Sequence, residues 1–247
     1  VWSRADEDGT MTRTVFVTSL ETGESREVWR AELPEEAAGH ALIPIFCDEA
    51  RQVLVYALHA FYSGMMPTQV ASLYVADISA DEITPLWTLN PVGMHAGVSA
   101  AVSPNGSLLA YLTWGDLRSD FTLSWTLHIR DLSNGDETTY ALNETWGNAG
   151  VHLFSPDSNK LLFTASRRDA NGDYQTEMLV FDLQIHTWNS IYTPDYDTKP
   201  YFNPRAWTDD DWLILANADD DSTWVMRPNG ESLTQITPLE WLGMLAE

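Results

Sequence analysis

Asp169, Asn171 and Asp173 place three oxygen-bearing side chains at alternate positions of one short segment, Asp169-Ala170-Asn171-Gly172-Asp173. Hard cations such as calcium draw several oxygens from one tight loop, so these three residues are the candidate calcium ligands. The pattern then breaks: Tyr174 stands where a calcium loop turns on Gly, and Val180 where it supplies its closing Glu. An Asn-Gly turn between two strands explains the same residues without a metal, and no other cofactor is expected. Asp6-Glu7-Asp8-Gly9 and Asp219-Asp220-Asp221 are further acidic segments of the kind that solvated loops carry.

Histidine chemistry narrows to one position. His152 precedes Phe154 by two residues and Arg205 precedes Trp207 by two, which gives them equivalent places in a repeated strand. Where such strands line a central channel, His152 and Arg205 form the candidate channel-ligand pair. The competing reading makes both of them hydrogen-bonded structural residues. His95 and His128 belong to no constellation visible in the sequence, and Cys47 reads as a small core residue. Gly-x-Ser-x-Gly, His-Glu-x-x-His, P-loop and Gly-x-Gly-x-x-Gly motifs are absent, so no catalytic residue is expected from a local motif. Two carboxylates converging in a cavity would still permit glycoside hydrolysis, which is the alternative function.

Apolar chemistry concentrates in Phe61-Tyr62-Ser63-Gly64-Met65-Met66-Pro67, where comparable segments elsewhere are polar. Aromatic and Met side chains favour binding patches. Phe61, Tyr62, Met65 and Met66 are therefore the candidate partner-binding residues, together with Trp114 and Phe121 in the equivalent segment that follows. The competing reading folds these segments back over their own sheets.

The whole-chain charge sets the setting for these groups. Thirty-six Asp and Glu face 13 Lys and Arg across 247 residues, a net charge of −23. Nucleic acid and anionic membranes would repel such a surface, so neither is an expected partner. Only Lys160 and Lys199 are lysines. An acidic, lysine-poor chain fits a secreted, periplasmic or cell-surface location, or a high-salt one. A single cysteine excludes an internal disulfide framework. Nowhere does the chain reach the roughly 18 consecutive apolar residues of a membrane helix. With 44% hydrophobic and 11% aromatic residues it can fill a substantial core.

A repeat positions all of these residues. Val102-Ser103-Pro104-Asn105-Gly106-Ser107-Leu108-Leu109-Ala110-Tyr111 returns 52 residues later as Phe154-Ser155-Pro156-Asp157-Ser158-Asn159-Lys160-Leu161-Leu162-Phe163. Degenerate copies begin at Phe46 and Trp207. A second element recurs as Leu73–Ile78, Leu127–Leu132 and Leu179–Leu183, with further copies at Val15–Leu20 and Trp224–Pro228. Thr22-Gly23, Asn134-Gly135 and Asn229-Gly230 then supply hairpin turns. Ser19, Asp77, Asp131, Asp182 and Arg227 mark the copies at steps of 45 to 58 residues. Four short strands per repeat of about 40–50 residues is the spacing of a β-propeller blade, so about five blades are expected.

Residues 1–9 read as the end of a second strand with its loop, and Leu239–Leu245 as the start of an innermost strand. Both ends would then share one composite blade and close the ring; the alternative is a fragment of a larger ring. Pro34-Glu35-Glu36-Ala37-Ala38 carries the one helical signal. No linker interrupts the pattern, so residues 1–247 are expected to form a single domain.

The Ser-Pro-Asp/Asn turn before an apolar strand, followed by a strand ending in Asp-Leu, resembles the TolB-like β-propeller repeats. Related repeats form the propellers of prolyl oligopeptidase-type proteins. The full motif is clean at residues 102–111 and 154–163. What the resemblance implies is an all-β propeller that serves as a non-catalytic binding or scaffold module outside the cytoplasm, with a protein as its partner. A propeller fragment of a larger peptidase is the further alternative.

Overall fold

The computed structural model describes residues 2–5, 12–19, 21–32, 39–48, 50–62, 68–80, 82–88, 99–117, 123–142, 146–168, 174–194 and 200–238. All regular structure among them is β. The chain falls into two compact units, Val1–Val98 and Ser99–Glu247.

The first unit holds two sheets. One has three strands in the order β1 (Trp2–Ala5), β2 (Thr12–Thr18), β3 (Ser25–Glu32). The other has four: β4 (Gly39–Asp48), β5 (Val53–Tyr62), β6 (Thr68–Asp77) and β7 (Glu82–Thr88). Val15, Trp29, Leu42, Leu54 and Tyr56 form the core of this unit, and Cys47 packs against it from β4, as a small core residue would.

The second unit holds three four-stranded sheets. They are β8 (Ala100–Val102), β9 (Leu108–Leu117), β10 (Leu123–Asp131), β11 (Glu137–Ala141); then β12 (Trp146–Phe154), β13 (Lys160–Arg168), β14 (Tyr174–Asp182), β15 (Thr187–Tyr192). The last is β16 (Phe202–Trp207), β17 (Leu213–Asn217), β18 (Thr223–Met226), β19 (Thr234–Thr237). Every pairing is antiparallel between sequence neighbours, the meander of a propeller blade. Within this unit β12 lies beside both β8 and β16, so the first strands of successive sheets are neighbours.

In the second unit the second strands are the most buried and the fourth strands the least. All five residues of β17 are buried, and Leu109–Leu112 and Leu161–Phe163 are buried on consecutive positions. A strand covered on both faces reads as a continuous apolar run. The fourth strands β11, β15 and β19 are mostly exposed, which explains their Thr, Asn, Ser and Gln content.

Hydroxyl chemistry holds the Ser-Pro turn. Ser155 Oγ donates to Asp157 Oδ1 at 2.6 Å and accepts the Lys160 N–H at 2.8 Å. Asp157 Oδ1 also accepts the Asn159 N–H at 3.1 Å. Ser103 and Asn105 repeat the scheme with the N–H groups of Leu108 and Ser107. Thr208 keeps it in the degenerate copy, accepting the Trp212 N–H at 3.1 Å. One side chain thus satisfies a buried donor and shapes the turn into the second strand. Ser155→Ala should lower stability by about 1–2 kcal/mol, because the Lys160 N–H loses its acceptor in a part-buried site. Ser155→Thr should retain most of it, and urea midpoints of the two variants test the difference.

The third-strand aspartates have the same kind of role. Asp77, Asp131 and Asp182 each accept N–H groups two or three residues on, from Ser79, Ser133 and Gln184 among others. The following residue, Ile78, Leu132 or Leu183, donates its N–H to the first turn of its own sheet, at Gln52, Ser107 or Asn159. In the last sheet that residue is Pro228, which has no N–H. Arg227 takes over: its Nη1 donates to the carbonyls of Asp210 and Asp211 at 2.6 and 3.1 Å, and its guanidinium lies 3.8 Å over the Trp212 ring. The replacement of Asp by Arg at this repeat position therefore restores a brace that Pro228 removes.

The expected helical turn at Pro34–Ala38, the acidic segment Asp6–Gly9 and the strand expected at Leu239–Leu245 lie outside the described residues.

Candidate functional site

A β-bulge recurs in three first strands. Register slips by one residue between Pro44 and Phe46 in β4, between Val151 and Leu153 in β12, and between Pro204 and Ala206 in β16. The extra residues are Ile45, His152 and Arg205, so His152 and Arg205 do occupy equivalent positions, and both are bulged out of their ladders. A bulge re-aims its side chain relative to the strand. Pro44 and Pro204 precede two of these bulges, where a residue without N–H is tolerated.

Around His152 the structure adds a residue that sequence reading missed. Ser99 Oγ accepts the Val151 N–H at 2.5 Å and donates to the Val151 carbonyl at 2.9 Å, tying the entry of β8 to the bulge of β12. His152 Nε2 pairs with Thr164 Oγ1 at 2.9 Å. A Cβ at Gly150 would make ordinary van der Waals contact, at 3.5 to 3.7 Å, with Thr164 Oγ1, Ser99 Oγ and His152 Nε2. Burial pushes the His152 pKa down to about 4, which leaves the imidazole neutral over the ordinary range. Arg205 is exposed on β16, the strand beside β12. No sequence signal points to Ser99, whose role depends on a contact 52 residues away.

Of the partner-binding candidates, Phe61, Tyr62 and Trp114 fall on second strands. β5 and β6 stay in register out to Tyr62↔Thr68, with Phe61 opposite Gln69. β9 and β10 reach Leu117↔Leu123, and β13 and β14 reach Arg168↔Tyr174. Phe61 and Tyr62 thus end a strand where a loop was expected, and Trp114 also lies within β9. Trp114 is half-buried and rests on Trp125, ring centroids 5.2 Å apart, against the core of its unit. Met65, Met66 and Phe121 lie outside the described residues, as do the calcium candidates Asp169, Asn171 and Asp173. Among the described residues no cluster of three His, Cys, Asp or Glu side chains could hold a metal ion.

His128, unremarkable in sequence, sits in a network. Its Nδ1 meets Glu137 Oε1 at 2.9 Å, its Nε2 meets Thr113 Oγ1 at 2.8 Å, and its ring stacks on Tyr111 at 4.6 Å. Tyr111 donates to Glu137 Oε2 at 2.6 Å, and Arg130 lies 3.9 Å from the same oxygen. Burial raises the Glu137 pKa, but hydrogen bonds from Tyr111 and His128 outweigh it and hold the carboxyl below its ordinary value. Burial first, then Glu137, holds the Tyr111 hydroxyl above the usual phenol range. The groups satisfy one another across β9, β10 and β11 and brace that sheet. Only polar residues at alternate positions of otherwise apolar strands, Tyr111 and Thr113, then His128 and Arg130, hinted at it.

No family model and no curated protein matches the chain. Solved structures do. The β-propeller domain of the Trilobed protease from Pyrococcus furiosus matches with TM-score 0.54 and 11% identity over 95% of this chain and 66% of that one. The acylaminoacyl peptidase of Pyrococcus horikoshii matches with TM-score 0.52 and 11% identity over 95% of this chain and 36% of that one. TolB from Acinetobacter baumannii matches with TM-score 0.47 and 16% identity, covering 90% of this chain and 47% of that one. The chain therefore spans about half of TolB, about a third of the peptidase and about two thirds of the propeller domain. At these identities the likeness is one of fold: the chain shares the β-propeller fold of the two Pyrococcus structures.

Proposed function

We propose that the chain is a non-catalytic binding or scaffold propeller of about five blades over residues 1–247, acting on a protein partner outside the cytoplasm. The observation that carries this reading is the length of the β5–β6 hairpin. It stays paired for ten residues a side and delivers Phe61 and Tyr62 to its outer end, next to Met65 and Met66 in the chain. β4 pairs with β5 as far as Gly39↔Phe61, so three hydrogen-bonded strands hold the backbone that carries Phe61, and an ordered backbone lowers the cost of docking. The motif residues support it from the other direction: Ser103, Ser155, Thr208, Asp77, Asp131 and Asp182 are all engaged in holding turns. The acidic, lysine-poor composition supports an extracytoplasmic location and disfavours nucleic acid. Among the described residues no helix is long and apolar enough to cross a membrane.

The test is crosslinking and affinity recovery from the native host with Phe61→Ser and Met65→Ser introduced together. A folded double variant should lose the partner recovered by the parent chain. Undiminished recovery by that variant would sink the proposed docking role of this hairpin.

A further inference from the structure

The seam between the β12–β15 sheet and the β16–β19 sheet opens into a cleft of about 460 Å³, within the size range of small-ligand sites. One wall is the turn Arg227–Gly230. Gly230 has φ 87°, and a Cβ there would lie 2.3 Å from the Ile191 carbonyl oxygen. The missing side chain lets this turn press directly on β15. The opposite wall is where β13 begins and β14 ends, with Lys160 and Asp182 as register partners. Asp211, from the turn between β16 and β17, also lines it.

Charge in the cleft departs from that of the chain. Two of 13 cations, one of them among the only two lysines, face one cleft in a molecule of net charge −23. Neither Lys160 nor Arg227 joins a salt bridge among the described residues. Arg227 is held by two carbonyls through Nη1 and by the Trp212 ring, so its guanidinium is ordered before any ligand arrives. Lys160 brings its ammonium to the cleft on a four-carbon stem, with the Asp157 carboxylate within electrostatic reach. Each carboxylate is engaged through one oxygen: Asp182 Oδ1 accepts two backbone N–H groups, and Asp211 Oδ1 accepts Trp207 Nε1. The second oxygen of each makes no hydrogen bond to a described residue.

A simple anion entering here would meet Asp182 and Asp211, and a simple cation would meet Lys160 and Arg227. A ligand with both charges and amide groups between them satisfies all four, while Asn189, Ser190 and Asn229 offer partners for peptide groups. We propose that this cleft binds a short zwitterionic peptide, its carboxylate toward Lys160 and Arg227 and its ammonium toward Asp182 and Asp211. The site is separate from the hairpin docking surface and does not depend on it.

Triglycine titrated into the ¹⁵N-labelled full chain tests the proposal, read on the side-chain amide signals of Asn189 and Asn229. Saturable shifts with a dissociation constant of about 1 mM or tighter are expected. Lys160→Gln should weaken binding about fivefold or more, because a charge-assisted contact is lost. The Lys160 backbone bonds that hold the turn remain in that variant. N-acetyl-triglycine and triglycine amide, each with one charge, should bind about fivefold more weakly than triglycine. Absence of saturation, equal binding by Lys160→Gln, or equal binding of the singly charged peptides would each overturn the proposal.

Discussion

Lowering the pH from 6.5 to about 4 is expected to remove about 3 kcal/mol of stability through His152 alone, at about 1.4 kcal/mol per pH unit. The folded imidazole resists protonation because burial penalises its charged form, whereas the unfolded chain takes the proton near the ordinary value. Above 6.5 neither state binds the proton, so this contribution is fully present. Between 6.5 and about 4 only the unfolded state binds it, and stability falls with each step of acidification. Below about 4 both states are protonated and the loss levels off. Other groups act in the same experiment. Glu137 and Asp157 have depressed values, so their stabilisation declines at lower pH, as each is protonated in the fold. Neutralising part of the −23 charge works the other way, by relieving repulsion. A comparison with His152→Gln cancels both, since Gln can still reach Thr164 but does not titrate. Urea unfolding from pH 7 to 4 should show two curves that diverge as pH falls. Parallel curves would mean that the imidazole is not held neutral by its surroundings.

That sensitivity arises from geometry the sequence shows only in part. The blades were legible because their signals are local. Ser103-Pro104 and Ser155-Pro156 announce a turn, and Gly23, Gly135 and Gly230 do adopt positive φ at 71°, 79° and 87°. Leu161-Leu162-Phe163 announces a strand covered on both faces. The equivalence of His152 and Arg205 was also legible, by counting back from Phe154 and Trp207. The bulge that singles them out was signalled by Pro44 and Pro204, yet in β12 by Gly150 alone. Contacts between strands far apart in the sequence pattern left no such trace. Ser99 reaches Val151 one repeat later, and Arg227 compensates for Pro228 by grasping a turn 16 and 17 residues back. His128 and Glu137 meet because of strand register, which shifts by a residue whenever a hairpin lengthens. Local chemistry writes itself into short motifs; relations between strands, within a sheet or across two, need the register first.

Gly230 and Gly23 turn that distinction into an experiment. Both close the hairpin into the last strand of a sheet, Gly23 between β2 and β3 and Gly230 between β18 and β19, and both have positive φ, so their local signals are alike. Gly23→Ala should cost about 1–2 kcal/mol, the ordinary penalty of a left-handed alanine, because a Cβ there meets nothing within 4 Å. Gly230→Ala carries the same penalty and a steric one. Its Cβ would lie 2.3 Å from the Ile191 carbonyl oxygen, and that obstacle is backbone in β15, which cannot rotate aside as a side chain could. The Arg227–Gly230 turn must move off β15, pulling on the Arg227 bonds to Asp210 and Asp211 and loosening Met226 and Leu213 in the core beneath. A loss of about 3 kcal/mol or more is expected, on the scale of a strained backbone added to disturbed packing. Urea midpoints of the two variants give the comparison directly. Trp212, stacked under Arg227, should change its fluorescence in Gly230→Ala and not in Gly23→Ala. Equal destabilisation of the two would show that the turn does not bear on β15, and would remove the wall on which the peptide cleft depends.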